Sequence, residues 1–188
     1  MMDHQLFHWL HGFSNQYDWL DAVMMAMTEH GPTFFALSLV VVFIYHLVKN
    51  HWQNTFATFT VAGLSMGATV GIGFLIKELY YRDRPFITYE LELLITHNEA
   101  SSFPSNHTLA AFAIAFAIFY VYRKLGVAYL VLAALMGLSR IYLGHHYPVD
   151  VISAAVIAVV VASVLLKVRY EETILRFLEK MKASRDSA

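Results

Sequence analysis

Three short polar stretches in a strongly apolar chain carry residue types that can handle a phosphate group. KELYYRDRP, residues 77–85, supplies Lys77 and Arg84; FPSNHT, residues 103–108, supplies Ser105, Asn106 and His107; SRIYLGHHYPVD, residues 139–150, supplies Ser139, Arg140, His145, His146 and Asp150. One lysine and two arginines give cationic donors, and an arginine can grip a phosphate through two parallel hydrogen bonds. Ser105 stands where an apolar run begins, so its hydroxyl and the first N–H groups of a helix there would add the anion-binding geometry of a helix N-terminus. The set suits an oxyanion with several charged oxygens. It has no Asp/Glu/His cluster at metal-ligand spacing, and its arginines would repel a cation, so neither metal nor cofactor is expected.

Two histidines give the cradle a reaction. His146 precedes Asp150 by four residues, one turn if the stretch is helical, so the carboxylate can keep one ring nitrogen protonated and leave the other to attack phosphorus. His107 is then placed to protonate the leaving oxygen. His145 is a rival for the nucleophile, and the residues settle the choice no further than that turn of helix. His97, in the longest connection, reads as a surface histidine. Each stretch also has an ordinary reading, since Lys and Arg at span ends often reach to the interface. Their convergence on one face outweighs it.

The elements that position these residues are read from hydropathy. Of 188 residues, 58% are hydrophobic and 14% charged, with a mean hydropathy of +0.52, as expected of an all-α polytopic membrane helix bundle. Apolar stretches at 32–48, 54–76, 105–122, 126–143 and 149–168 approach or exceed the roughly 18 residues of a membrane-crossing helix. Residues 18–31, apolar at helical spacing but carrying Asp18, Asp21 and Glu29, suit a sixth, short span whose acidic face avoids lipid. Alternation of the spans brings 77–107 and 139–150 to the same side.

The opening MMDHQLFHWLHGF lacks a basic leader and a small-residue cleavage site, and reads as an interfacial helix with Leu6, Phe7, Leu10 and Phe13 along one side. The absence of cysteine excludes disulfides, thiolate metal sites and cysteine nucleophiles. A net charge of −1 points to no nucleic-acid partner. Lys49, Arg123, Lys124, Lys167 and the basic residues of the tail 169–188 share one side, which places the C-terminus in the cytoplasm and the polar stretches on the outer face. The chain reads as one domain over 1–188. Gly63, Gly67 and Gly71 are expected to admit a close neighbouring helix. The apolar connection 86–104, with Leu91, Leu93, Leu94 and Ile95, is expected to lie on the bilayer surface.

The patterns K-x6-R-P (Lys77, Arg84, Pro85), P-S-x-H (Pro104, Ser105, His107) and S-R-x5-H-x3-D (Ser139, Arg140, His146, Asp150) occur in the order and spacing of the type 2 phosphatidic acid phosphatase family, which this chain resembles from about 54 to 168. The family shares its site with vanadium haloperoxidases. The resemblance implies a six-helix membrane fold, a phosphohistidine intermediate, and His146 rather than His145 as nucleophile. Asn106 stands where the family has glycine; asparagine tolerates left-handed backbone, and its amide can contact the substrate. FHWLHGFSN, ITHNEASSFPSNH and GHHYPVDV are most similar to the bacitracin-resistance type of undecaprenyl-diphosphatase, which implies a lipid diphosphate as substrate and a role in cell-wall synthesis. The competing expectations are a broader phosphatase of phosphatidylglycerophosphate or phosphatidic acid, a haloperoxidase, and a catalytically silent lipid-binding or transport protein.

Overall fold

A computed structural model describes residues 2–49, 52–96, 100–165 and 167, apart from the side chains of residues 52–58, 61 and 62. His97 and the tail 169–188 lie outside the described residues. The described chain forms seven helices: α1 (Met2–His11), α2 (Asp18–Lys49), α3 (Trp52–Leu79), α4 (Pro85–Thr88), α5 (Asn106–Val121), α6 (Arg123–Tyr142) and α7 (Pro148–Leu165). No strand occurs among the described residues. α2, α6 and α7 are each long and apolar enough to cross a membrane, and α5 is apolar but shorter.

α5 is the central helix, packed against α2, α3 and α6. Its alanines Ala111, Ala113, Ala115 and Ala117 are buried together with Leu109, Ile114 and Ile118. Small side chains let three neighbours close around it, and its 16 residues rise about 24 Å. Tyr122 alone links α5 to α6. That tight turn requires Gly126, where a Cβ would lie 2.0 Å from Phe119 Cα.

Residues 18–31 and 32–48 are not separate spans. They form one 32-residue helix with Pro32 inside it, about 48 Å long against a core of about 30 Å. In its first turn Asp21 is buried and accepts a hydrogen bond from Tyr142 Oη at 2.6 Å. Thr28, one turn before Pro32, pairs its hydroxyl with Ser139 Oγ at 2.9 Å, so the segment is held by α6 across the proline. Fusing the two segments puts α1 on the same face as the polar stretches. There Phe7, fully buried, stacks on Tyr89 and meets Tyr147 edge-on, a burial worth about 2 kcal/mol. The apolar side expected of α1 is divided: Phe7 and Leu10 pack inward, Leu6 and Trp9 stay exposed, and Phe13 lies beyond the helix.

Two further expectations are corrected. A Cβ on Gly63, Gly67 or Gly71 would meet no described atom within 4 Å, so no described helix packs against these glycines. The stripe that faces the bundle is Ser65, Thr69 and Gly73, where the first two are buried and a Cβ on the third would sit 2.5 Å from Leu109 Cδ1. The stripes differ by two residues, about 200° around the helix. The connection 86–104 also folds inward in part: Leu91 joins the apolar cluster of Phe7, Ile141, Tyr147 and Val151, and Leu91 and Leu93 close over Gly144, whose φ of +76° suits glycine.

Candidate active site

The three polar stretches meet at one end of the bundle because α3, α5, α6 and α7 alternate in direction. Lys77 lies in the last turn of α3, α5 begins at Asn106, Arg140 lies in the last turn of α6 and α7 begins beyond His146. Lys77, Arg84, Asn106, His107 and His146 line a cavity of about 270 Å³. Lys77 Nζ donates to Ser101 O at 2.7 Å. Arg84 is 3% exposed and donates from Nε to Ala100 O at 2.7 Å and from Nη1 to His145 O at 3.0 Å. Burial lowers the Arg84 guanidinium to about 10, which leaves it charged at neutral pH.

Arg84 Nη1 also lies 3.2 Å from His146 Nε2. A guanidinium only donates, so this contact puts the imidazole lone pair on Nε2, at the cavity wall, and the proton on Nδ1. Nδ1 is 3.3 Å from Ser102 Oγ and 3.8 Å from Asp150 Oδ2. Ser102 Oγ donates to Asp150 Oδ2 at 2.6 Å. A serine therefore bridges histidine and carboxylate. Burial, followed by the charges of Arg140, Arg84 and Lys77, holds the His146 imidazole well below the usual histidine value, so the ring is neutral at pH 7 with its lone pair available.

The helical turn expected between His146 and Asp150 is absent, because α7 starts at Pro148. Tyr147 precedes it, Pro148 takes the first helical position, and Asp150 Oδ2 accepts the Tyr147 N–H at 2.8 Å, the reciprocal half of a capping box. Asp150 is thus fixed by its own helix start. His145 points elsewhere, its Nε2 donating to Ile95 O at 3.0 Å.

The remaining expected residues divide. Arg140 is 1% exposed, and its Nε and Nη2 have no hydrogen-bond partner among the described residues, an uncommon state for buried donors that fits an anion ligand. Asn106 Oδ1 is likewise unpartnered there. Asn106 lies in α5 without positive φ, so left-handed tolerance plays no part at this position. Ser105 caps α5 without a side-chain capping bond; its N–H donates to Asp150 O at 3.2 Å and its hydroxyl accepts from Thr108 Oγ1 at 3.0 Å. Ser139 Oγ donates to Met136 O at 2.7 Å and pairs with Thr28. Neither serine lines the cavity.

Sequence reasoning missed Ser102 and Arg82. Arg82 Nη1 donates to Asp150 Oδ1 at 2.6 Å, and its guanidinium stacks 4.0 Å from the Tyr147 ring centroid. The available signal was a third cation inside KELYYRDRP and a serine pair just before FPSNHT.

The PAP2 superfamily model matches residues 58–174. Undecaprenyl-diphosphatase BcrC of Bacillus subtilis is 35% identical over 161 residues, covering 85% of this chain and 80% of its own. Bacitracin transport permease protein BcrC of Bacillus licheniformis is 35% identical over 159 residues, covering 83% and 75%. The crystal structure of Aquifex aeolicus LpxE superposes with a TM-score of 0.72 at 22% identity, over 89% of this chain and 96% of that one. The chain belongs to the PAP2 superfamily, and the fold is that of its membrane-embedded members.

Proposed function

We propose that the protein hydrolyses the terminal phosphate of undecaprenyl diphosphate on the extracytoplasmic face of the cell membrane, returning the lipid carrier to cell-wall synthesis and countering bacitracin. The observation that carries this reading is that two cavities share one wall. Phe74, Asn106 and His107 line both the cationic cavity and an apolar groove of about 360 Å³ that continues along Val70, Ala110 and Ile114. A charged head and a long apolar tail fit that pair of surfaces. The name of the B. subtilis relative supports a lipid diphosphate as the substrate.

In the proposed reaction the His146 Nε2 lone pair attacks the terminal phosphorus. An N–P bond forms, the bridging P–O bond breaks, and undecaprenyl phosphate leaves with a proton from His107. Lys77, Arg84 and Arg140 offset the charge gathering on the phosphoryl oxygens, with Arg84 exchanging its contact on Nε2 for one of them. Ser102 and Asp150 stabilise the cationic ring. Water then attacks the phosphohistidine, its proton passing to His107, and inorganic phosphate departs. Ser105 holds the Thr108 hydroxyl and Ser139 ties α6 to Thr28 of α2, so both serve this site from outside the cavity.

Purified protein is expected to release phosphate from undecaprenyl diphosphate faster than from phosphatidic acid, with or without a chelator. Preference for phosphatidic acid would favour the broader lipid phosphatase, and no release from either lipid would favour a binding or transport role of the kind the B. licheniformis relative's name suggests.

His107→Ala separates the two substrates further. The group leaving a diphosphate is a phosphate monoester with a second pKa of about 6, whereas phosphatidic acid loses an alkoxide whose conjugate acid is about as weak as water. General acid catalysis is worth about 10²–10⁴-fold, and that loss is expected on phosphatidic acid with a much smaller one on undecaprenyl diphosphate, read as kcat/KM. Equal losses would assign His107 to phosphate binding.

Sidedness rests on Lys49, Arg123, Lys124 and Lys167, which end or begin helices opposite the site. Because the chain has no cysteine, single cysteines report cleanly. Glu92→Cys is expected to react with an impermeant thiol reagent in intact cells and Lys167→Cys only after lysis. The reverse pattern would put the site in the cytoplasm.

A further inference from the structure

α1 comes from the far end of the chain, yet it reaches the carboxylate behind His146. Asp3 Oδ2 accepts Arg82 Nη2 at 2.6 Å, while Arg82 Nη1 donates to Asp150 Oδ1, also at 2.6 Å. Asp3 Oδ1 accepts the Val149 N–H at 2.9 Å. Val149 is the second residue of α7, whose first-turn N–H groups have no partner within the helix. Asp3 therefore caps α7 from another helix, in the role a preceding Asp or Ser usually fills. One carboxylate holds the helix start that carries Asp150 and the guanidinium that grips Asp150.

Arg82 is only partly buried, at 19% side-chain exposure, and a long side chain at a rim has many rotamers. Two carboxylates and the Tyr147 ring face reduce them to one. The side chain of α1 that seats the helix is Phe7, and its exposed face carries Leu6 and Trp9. We propose that Asp3 and Arg82 are positioning residues for the reaction: seating of α1 at the membrane surface fixes Arg82, and through it the carboxylate that Ser102 and His146 depend on. Neither residue lines the phosphate cavity and both act through Asp150, so the expected effect falls on turnover and not on substrate binding. This inference rests on the phosphatase reading above.

The test uses the full chain in detergent micelles containing undecaprenyl diphosphate, with kcat and KM measured separately. Asp3→Asn keeps an oxygen for the Val149 N–H but loses the charge and turns an amide against Arg82. It is expected to lower kcat about 10-fold or more with KM held, the pattern of an interaction made in the transition state. In an Arg82→Ala background, itself impaired, Asp3→Asn is expected to cost almost nothing further, because its target is gone. Asp3→Glu, which keeps the charge, is expected to fall between wild type and Asp3→Asn. Wild-type kcat in Asp3→Asn, or losses that multiply in the double variant, would overturn the proposal. If Asp3→Asn yields no folded protein, Asp3→Glu decides alone: lowered kcat at constant KM supports the inference, and unchanged kcat or a rise in KM alone overturns it. Absence of turnover in the wild type would overturn the phosphatase reading and this inference together.

Discussion

Replacing His146 with alanine is expected to reduce phosphate release to background, a loss of about 10⁴- to 10⁶-fold, with the protein still folded and extractable. The His146 imidazole lies on the cavity wall, neutral and backed by a polar chain: Arg84 fixes which nitrogen carries the lone pair, and Ser102 and Asp150 lie behind the other. Removing the ring does not orphan that chain. Asp150 keeps Arg82, Ser102 and the Tyr147 N–H, so the variant reports on chemistry rather than on collapse. His145 cannot stand in, because its ring is committed to Ile95 O and does not line the cavity. A variant retaining substantial turnover would remove His146 from the role assigned to it.

Arg140→Lys is expected to lower kcat/KM about 10²- to 10³-fold, the range measured when one preorganised donor to a developing oxyanion is lost. Charge is conserved in this substitution, so the effect reports on geometry. Arg140 is almost fully buried with Nε and Nη2 unpartnered among the described residues, and a lysine offers a compact point charge where a planar fork is held ready. Its main-chain carbonyl accepts the N–H groups of both His145 and His146, a contact that survives any side-chain change. Near-wild-type kcat/KM in Arg140→Lys would mean that the guanidinium serves the fold and not the phosphate.

Much of the candidate site's placement was legible because its residues stand at fixed spacing at the ends of alternating helices. Lys77, Arg84, Asn106, His107 and His146 are brought onto one cavity wall by nothing more than the alternation of helices. What could not be read depends on tertiary docking. Asp3 lies 147 positions from Arg140's stretch partner Asp150, and its contact exists only because α2 runs unbroken through Pro32. In sequence, Gly31-Pro32 looks like a helix boundary; in the fold, α6 holds the segment on both sides of it. Ser102 escaped notice because a serine beside another serine carries no pattern. The spacing of His146 and Asp150 suggested a helical turn, while the capping of α7 at Tyr147 replaces it with a loop and leaves the bridge to Ser102. The glycines of α3 show the same limit, since a period of four identifies a stripe without saying which stripe faces the bundle.

The central claim is a covalent phosphate on His146, and the direct measurement is rapid quenching of turnover with undecaprenyl diphosphate labelled in its terminal phosphate, followed by peptide mapping under conditions that preserve phosphohistidine. The account predicts label on the peptide containing His146 in the wild type, formed before phosphate is released, and none in His146→Ala. Label mapped to His145, or phosphate released at full rate with no labelled protein at any quench time, would contradict it.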